Sequence, residues 1–179
     1  MPVRSLAALA AALVLWASAT SAGGQLRKLP DAPYVPTPQP IVEAMLALAR
    51  VGPGDVVYDL GSGDGRIPIT AAERFGAFGV GIEIDPFMVS QAEGNRAKSA
   101  ARDRVRFITG DLFDADLTEA TVVTLFLFPK INARLIPKLR RELRPGSRIV
   151  AHHFDLGPEW PADEAREVNG LMIYLWVVR

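Results

Sequence analysis

Val56-Val57-Tyr58-Asp59-Leu60-Gly61-Ser62-Gly63-Asp64-Gly65-Arg66 is the stretch that decides the fold. A short β-branched run ends in an acid and meets three glycines at spacing two, and Arg66 then opens a helical segment. Glycines at such a turn let backbone come close to a ligand and aim the amides of the following helix into the crevice. Tight strand-to-helix turns also use glycine for steric reasons alone, so the turn by itself does not settle the matter. The spacing does exclude two rivals. A dinucleotide fingerprint would place its third glycine at position 66, which is Arg66, and the Lys-Ser/Thr pair of a P-loop is absent.

Working outward, short apolar runs alternate with helical stretches, the pattern of βαβ units and a parallel sheet. Strands are predicted at Val56 to Leu60, Gly79 to Ile84, Val105 to Thr109, Thr121 to Phe128 and Ser147 to Phe154. Helices are predicted at Arg66 to Phe75, at Pro86 to Ala100 with Asp85 as N-cap, and at Asn132 to Leu143, where Pro137 must begin or kink the helix. The tail departs from this alternation. Ala165 to Val168, Asn169-Gly170 and Leu171 to Val178 predict a β-hairpin with a type I′ turn.

Two more acids stand where the next strands end. Glu83 could accept the hydroxyls of a ribose, as a carboxylate does at this place in nucleotide-binding βαβ folds, and Asp111 could accept from an exocyclic amine. Taken singly, Glu83 also reads as a solvated strand-end acid or a helix-dipole partner, and Asp111 as an ordinary turn residue. With the glycine turn they end three successive strands, and open α/β sheets bind ligands at that edge.

Ahead of this domain the composition changes twice. Residues 5–26 carry no charged side chain and follow Arg4, the layout of an export signal with small-residue cleavage sites at Ala17-Ser18-Ala19 or Thr20-Ser21-Ala22. The alternative is a membrane anchor through residues 6–22, short for the roughly 20 apolar residues that span a bilayer. Five of the 14 prolines then fall between Pro30 and Pro40, so residues 23–40 form a proline-rich entry to a domain at 41–179. Thr37 and Pro38 read as N-cap and first position of a helix running to about Arg50. The chain has 179 residues, no cysteine, two adjacent histidines, and 20 basic against 20 acidic side chains. Thiol chemistry and cysteine-bound metals are excluded, a multi-histidine centre is disfavoured, and the neutral balance disfavours a broad nucleic-acid face.

The segment Tyr58 to Arg66, with Glu83 and Asp111, resembles motif I and the acidic positions of class I S-adenosylmethionine-dependent methyltransferases. The resemblance implies a Rossmann-like α/β fold with a seven-stranded sheet in the order 3-2-1-4-5-7-6, closed by an antiparallel hairpin. It implies S-adenosyl-L-methionine as cofactor and no metal, with Asp59, Gly61, Ser62, Gly63, Asp64, Glu83, Ile84, Asp111, Leu112 and Phe128 on the cofactor side. More narrowly, Pro33-Tyr34-Val35-Pro36-Thr37-Pro38, together with His152 and Phe154-Asp155, is similar to the small protein-lysine methyltransferases that modify the adenine nucleotide translocase and the ATP synthase c-subunit. That likeness implies a protein lysine as acceptor, in a membrane-embedded substrate, with Tyr34, His152 and Asp155 as catalytic candidates.

Amide and adenine N-methyltransferases carry Asn-Pro-Pro-Tyr after strand four, where this chain has Phe126-Leu127-Phe128-Pro129. Phe126, Phe128 and Tyr34 could instead form an apolar slot for a neutral amine, or serve as plain core. His152 and His153 alternate across strand five, so at most one faces the site. Asp155 serves the acceptor or only caps its loop. Two other readings of the same fold remain: an exported, non-catalytic nucleoside-binding module, and a polyamine-synthase-like transferase, against which the apolar segment after strand four counts.

Overall fold

The structure is a computed structural model and describes residues 34–179. The expected signal or anchor and most of the proline-rich entry lie outside the described residues. Among those described, no helix is long and apolar enough to cross a membrane.

The elements run α1 (Gln39–Leu48), β1 (Val56–Leu60), α2 (Arg66–Phe75), β2 (Phe78–Glu83), α3 (Pro86–Lys98), β3 (Val105–Thr109), β4 (Val122–Leu125), α4 (Pro129–Glu142), β5 (Arg148–His152), β6 (Glu164–Val168) and β7 (Leu171–Val177), with one 3-10 turn before β3. The strands form one sheet in the order β3-β2-β1-β4-β5-β7-β6. β1 to β5 pair in parallel, while β7 runs antiparallel to both β5 and β6. The expected topology is therefore observed, including the hairpin: Asn169 and Gly170 both have positive φ (52° and 79°), as a type I′ turn requires.

Period-two alternation divides the core into two layers. Val57, Val122, Val150, Ile173 and Leu175 face α1 and α2 and pack with Ile41, Met45, Leu46, Ile67 and Ala71. Tyr58, Leu60, Val123, Leu125, Ile149 and Trp176 face the other way and pack with Ile131, Leu135, Ile136 and Leu139 of α4. Asp59 and Thr124 share the parity of Val57 and Val122, so both point toward α1 and α2 at the carboxyl ends of their strands.

Three expectations are corrected. Thr37 does not cap α1; the helix starts from Pro38 without a side-chain cap, with Pro40 in its first turn, and the Thr37 hydroxyl is engaged elsewhere. α4 begins at Pro129 rather than Asn132, because proline suits a first helical position and Phe128 is extended before it. Pro137 consequently lies inside that helix, where the carbonyl it deprives of a donor belongs to the exposed Ala133. β4 and β5 stop at Leu125 and His152, short of the predicted Phe128 and Phe154, and release the aromatic residues beyond them from the sheet.

At the opposite edge, Asp55 ties three chain segments together. It accepts from Thr121 Oγ1 (2.7 Å), Arg148 Nη2 (2.6 Å) and the Gly52 amide (2.9 Å). Burial alone would raise this carboxyl, but the Thr121, Arg148 and Gly52 bonds outweigh it and hold Asp55 below its usual range. On β2, Gly79 and Gly81 face α2 and the glycine turn. A Cβ on Gly79 would strike the Pro68 carbonyl, and one on Gly81 would overlap the Phe107 ring and Ser62 Oγ. Gly79→Ala is therefore expected to cost about 1–3 kcal/mol, seen as a lower urea midpoint at unchanged m value.

Candidate active site

A cavity of about 420 Å³ opens at the carboxyl ends of β1, β2, β3 and β4. Such a volume suits a small-molecule site. Its floor is the turn after β1. Gly61, Gly63 and Gly65 all have left-handed backbone (φ 82°, 52° and 80°), which only glycine adopts without strain. A side chain on Gly63 would collide with the Tyr34 ring.

The Glu83 carboxylate fixes this turn. Oε2 accepts from the Gly63 amide (2.9 Å), and Oε1 accepts from the amides of Ile84 (2.8 Å) and Asp85 (2.9 Å). A carboxylate has about four acceptor sites, so roughly one remains for a hydroxyl. The ribose diol expected from the sequence would therefore share Oε2 with Gly63.

Asp59 is buried beside it and accepts from Thr124 Oγ1 at 2.6 Å. Burial raises its carboxyl to about 7; the Thr124 bond opposes that rise, and the charges of Glu83 and Asp64 add to it. Asp64 behaves in the opposite way. Desolvation would raise it, but the Arg66 guanidinium grips both carboxylate oxygens (2.7 Å to Oδ2, 3.0 Å to Oδ1) and holds it below its usual range.

Arg66 reaches further, donating from Nη1 to the Thr37 carbonyl at 3.0 Å. Gln39 Nε2 adds a bond to Thr70 Oγ1 of α2 at 3.0 Å. These contacts lay residues 34–39 along the glycine turn, so that Tyr34, Val35, Pro36 and Thr37 form one wall of the cavity. Burial, followed by the Asp64 charge, pushes the Tyr34 phenol upward.

Of the candidate residues, Tyr34, Asp59, Gly61, Ser62, Asp64, Glu83, Ile84, Asp111 and Leu112 line this one cavity. Gly63 contributes its amide to Glu83. Asp111 Oδ1 accepts from the Phe113 amide at 3.0 Å, the turn-residue role, and the residue also lines the cavity. Three candidates stand apart. Phe128 precedes α4 and packs on Phe154, with ring centroids 6.0 Å apart. Asp155 accepts from the Gly157 amide at 3.0 Å, the loop-capping alternative. His152 is buried one layer behind the wall, its ring tilted against Phe126 with centroids 4.1 Å apart and Nδ1 3.2 Å from Thr37 Oγ1. Burial, then the neighbouring His153, lowers His152 to about 4, so it is neutral at pH 7.

Sequence reasoning passed over Arg66, Asp85, Met88 and Ile131 as lining residues, and Thr124 as the partner of Asp59. A signal existed only for Asp85, whose capping of α3 at the Phe87 amide (2.9 Å) fixes its place beside Glu83.

The residues present fit a cationic nucleoside. Among the described residues, five carboxylates line the cavity against one cation, Arg66. Ser62 Oγ is buried there with no hydrogen-bond partner among those residues, an unmet polar capacity that a ligand can satisfy. Nor does any cluster of metal-ligating side chains occur among them.

Comparison with known proteins gives the same picture. Residues 59–164 match the family described as the ANTKMT methyltransferase domain. A protein-lysine N-methyltransferase of Saccharolobus islandicus is 43% identical over 154 residues, covering 84% of this chain and 96% of the relative. The adenine nucleotide translocase lysine N-methyltransferase of Mus musculus is 34% identical over 84% of this chain, which spans 65% of that relative's length. A crystal structure from Salinibacter ruber, described as an RNA methyltransferase in complex with S-adenosyl-L-homocysteine, is 51% identical with a TM-score of 0.79, covering 80% of this chain and 94% of that one. With more than half of the sequence matched by the family, and an archaeal relative aligned almost end to end, the chain belongs to the ANTKMT family of S-adenosylmethionine-dependent methyltransferases.

Proposed function

We propose that this enzyme transfers a methyl group to the side-chain amine of a protein lysine, with the cofactor held over the glycine turn. The observation that carries the reading is the charge of the cavity: Asp59, Asp64, Glu83, Asp85 and Asp111 against Arg66 among the described residues. That lining suits a sulfonium cofactor, and the apolar acceptor end formed by Phe126, Leu127 and Ile131 suits an amine that must lose its proton. The relatives from Saccharolobus islandicus and Mus musculus carry lysine methyltransferase names, which supports the same acceptor. The name of the Salinibacter ruber protein supports the competing RNA acceptor, against which stands the balanced charge of the whole chain.

When bound, S-adenosylmethionine supplies an electrophilic methyl group on a positively charged sulfur. The remaining work falls to positioning and to the proton of the acceptor. In our assignment Glu83 takes a ribose hydroxyl, Asp111 the exocyclic amine, and Asp59 faces the cofactor's ammonium. Ser62 Oγ supplies a further polar contact. A lysine amine is protonated at pH 7, with a reference pKa of about 10.4, and must lose that proton before its nitrogen can attack. Phe126, Leu127 and Ile131 give the acceptor end of the cavity an apolar wall, where desolvation favours the neutral amine. His152 does not line the cavity, and a value of about 4 makes its neutral ring a weak base, so in this mechanism it orients Phe126 and Thr37 and is not the base. Residues 1–22 are assigned to export or to membrane anchoring, which would place the enzyme near a membrane-embedded substrate.

Glu83→Ala is expected to weaken binding of S-adenosyl-L-homocysteine roughly 10- to 150-fold, the worth of hydrogen bonds to a charged group. Calorimetry returning wild-type affinity would remove the ribose assignment. Asp59 gives a second, proton-linked outcome. Its folded value of about 7 exceeds the reference 3.8, so its contribution to stability is complete below the reference value and lost as pH rises through 7. Asp59→Asn should therefore stabilise the unliganded protein at pH 8; a gain of about 2 kcal/mol would raise the melting midpoint by roughly 4–8 °C. A cation placed beside Asp59 lowers its pKa, so cofactor binding near pH 7 should release protons from the wild type. Calorimetry in buffers of different ionisation enthalpy reads that release, which Asp59→Asn should lose. For the acceptor, labelled cofactor should yield methyllysine on hydrolysis of modified protein; label confined to RNA would overturn the lysine assignment.

A further inference from the structure

We propose that Asn132 is a positioning residue for the methyl acceptor, acting through a strained turn at His153 that sets the aromatic wall behind Phe126. The proposal rests on the reading that the acceptor enters along that wall.

The loop after β5 is held in an uncommon conformation. His153 has φ of 66°, and the Phe154 amide donates to the His152 carbonyl at 2.7 Å. A hydrogen bond between residues two apart, closed over a central residue with positive φ, is the arrangement of a classic γ-turn, which is rare and strained. Non-glycine residues adopt such a backbone where surrounding structure enforces it, and such places cluster at functional sites.

Two features enforce it here. The His153 amide donates to the Met172 carbonyl of β7 at 2.8 Å. From the other side, Asn132 Nδ2 donates to two successive carbonyls, Phe154 at 3.2 Å and Asp155 at 3.0 Å. Asn132 is fully buried on the first turn of α4, next to the cavity residue Ile131. Its amide orientation is fixed, since a flipped Oδ1 would face two carbonyl oxygens. In the observed orientation Oδ1 is buried without a partner among the described residues. An apolar residue would avoid that unmet acceptor, which generally costs about 1–3 kcal/mol, so what this side chain supplies is the pair of donors.

The turn reverses the chain so that Phe154 lies against both aromatic residues released from β4. Its ring centroid is 6.5 Å from Phe126 and 6.0 Å from Phe128, and His152 closes the cluster 4.1 Å from Phe126. Phe126 is the member that faces the cavity. Asn132 thus reaches the reacting end through the chain Asn132, Phe154, Phe126. The hydrogen bonds and ring contacts of this relay run between Asn132, Phe154, Asp155 and Phe126, apart from the amide bonds that hold Glu83.

That separation defines the test, made on the full-length enzyme with two probes. S-adenosyl-L-homocysteine reports the cofactor half by calorimetry, and transfer of labelled methyl groups to poly-L-lysine reports the acceptor half. Asn132→Asp keeps the shape but replaces both donors with an acceptor facing two carbonyls. It should leave the affinity for S-adenosyl-L-homocysteine within about twofold while lowering kcat by at least about tenfold, and amide exchange across residues 153–157 should accelerate. Should that variant fail to fold, the exposed His153 gives an independent measurement. His153→Gly accommodates a positive φ and His153→Val does not, so the valine variant should be at least about tenfold slower in kcat than the glycine variant at matched cofactor affinity.

Equal rates for the two His153 variants would overturn the proposal, as would an Asn132→Asp enzyme whose lost activity follows lost cofactor affinity. A wild-type enzyme active on RNA but not on poly-L-lysine would sink the lysine reading alone, and the same kcat comparison on RNA would then decide the role of Asn132. Inactivity of the wild type on both probes would overturn the acceptor wall and this proposal together.

Discussion

The Glu83 carboxylate, accepting three backbone amides from two different turns, is the interaction on which the site depends. Gly63 and Ile84-Asp85 belong to the turns after β1 and β2, and without a shared acceptor their N–H groups would be left unpaired at a desolvated edge, each at a cost of about 1–3 kcal/mol. The bond to Gly63 also sets the height of the glycine turn. Above that turn lies the Tyr34 ring, in space a Cβ would occupy, and below it Gly81 makes room for Ser62. The cavity is therefore the gap left when one carboxylate fastens two strand ends and glycine backbones fill the space around it.

Electrostatics follow from the same packing. Fastening the turns brings Asp59, Asp64 and Glu83 close together, and the protein treats the three differently. Asp64 is neutralised by Arg66, Glu83 is solvated by amides, and Asp59 has one hydroxyl partner and an upward-shifted pKa. Asp59 is thus the group best able to respond to an arriving positive charge. Arg66 has a second task, since its bond to the Thr37 carbonyl docks the entry segment and turns an open strand edge into a walled pocket. A helix dipole alone would favour an acid at that first helical position; an arginine there is explained by these two contacts.

The glycine-turn half of the cavity was legible in the sequence because local geometry writes it. Gly61, Gly63 and Gly65 declare a left-handed turn, Glu83 and Asp111 end β-branched runs, and Asn169-Gly170 declares the hairpin. What was not legible depends on contacts between distant segments. Thr37 has the chemistry of an N-cap, and only the fold brings His152, 115 residues away, within 3.2 Å of it. Phe128 and Asp155 looked like site residues because of their neighbours in sequence, yet β4 and β5 end early and direct them to Phe154 and Gly157 instead. Asn132 carried no signal, since a buried asparagine in an amphipathic helix cannot be told from a surface one until its partners are known.

The same division explains why relatives with different named acceptors resemble this chain so closely. The Salinibacter ruber structure, named for RNA, is 51% identical, and the Saccharolobus islandicus enzyme, named for protein lysine, is 43% identical. Much of that identity can be spent on the sheet and the cofactor edge, which a lysine and an RNA enzyme would build alike. In the proposed reading, discrimination falls to the entry segment, the Phe126-Leu127-Phe128 exit from β4 and the turn at His153. These three pieces are joined by Thr37 to His152, His152 to Phe126, Phe126 to Phe154, and Phe154 to Asn132. In the proposed reading a change at any one would reach the wall the acceptor meets, and a change in the entry segment would also reach the glycine turn through Arg66 and Tyr34. In that reading the residues that decide the acceptor are few, aromatic or buried, and connected, so they can differ between relatives whose overall identity is high.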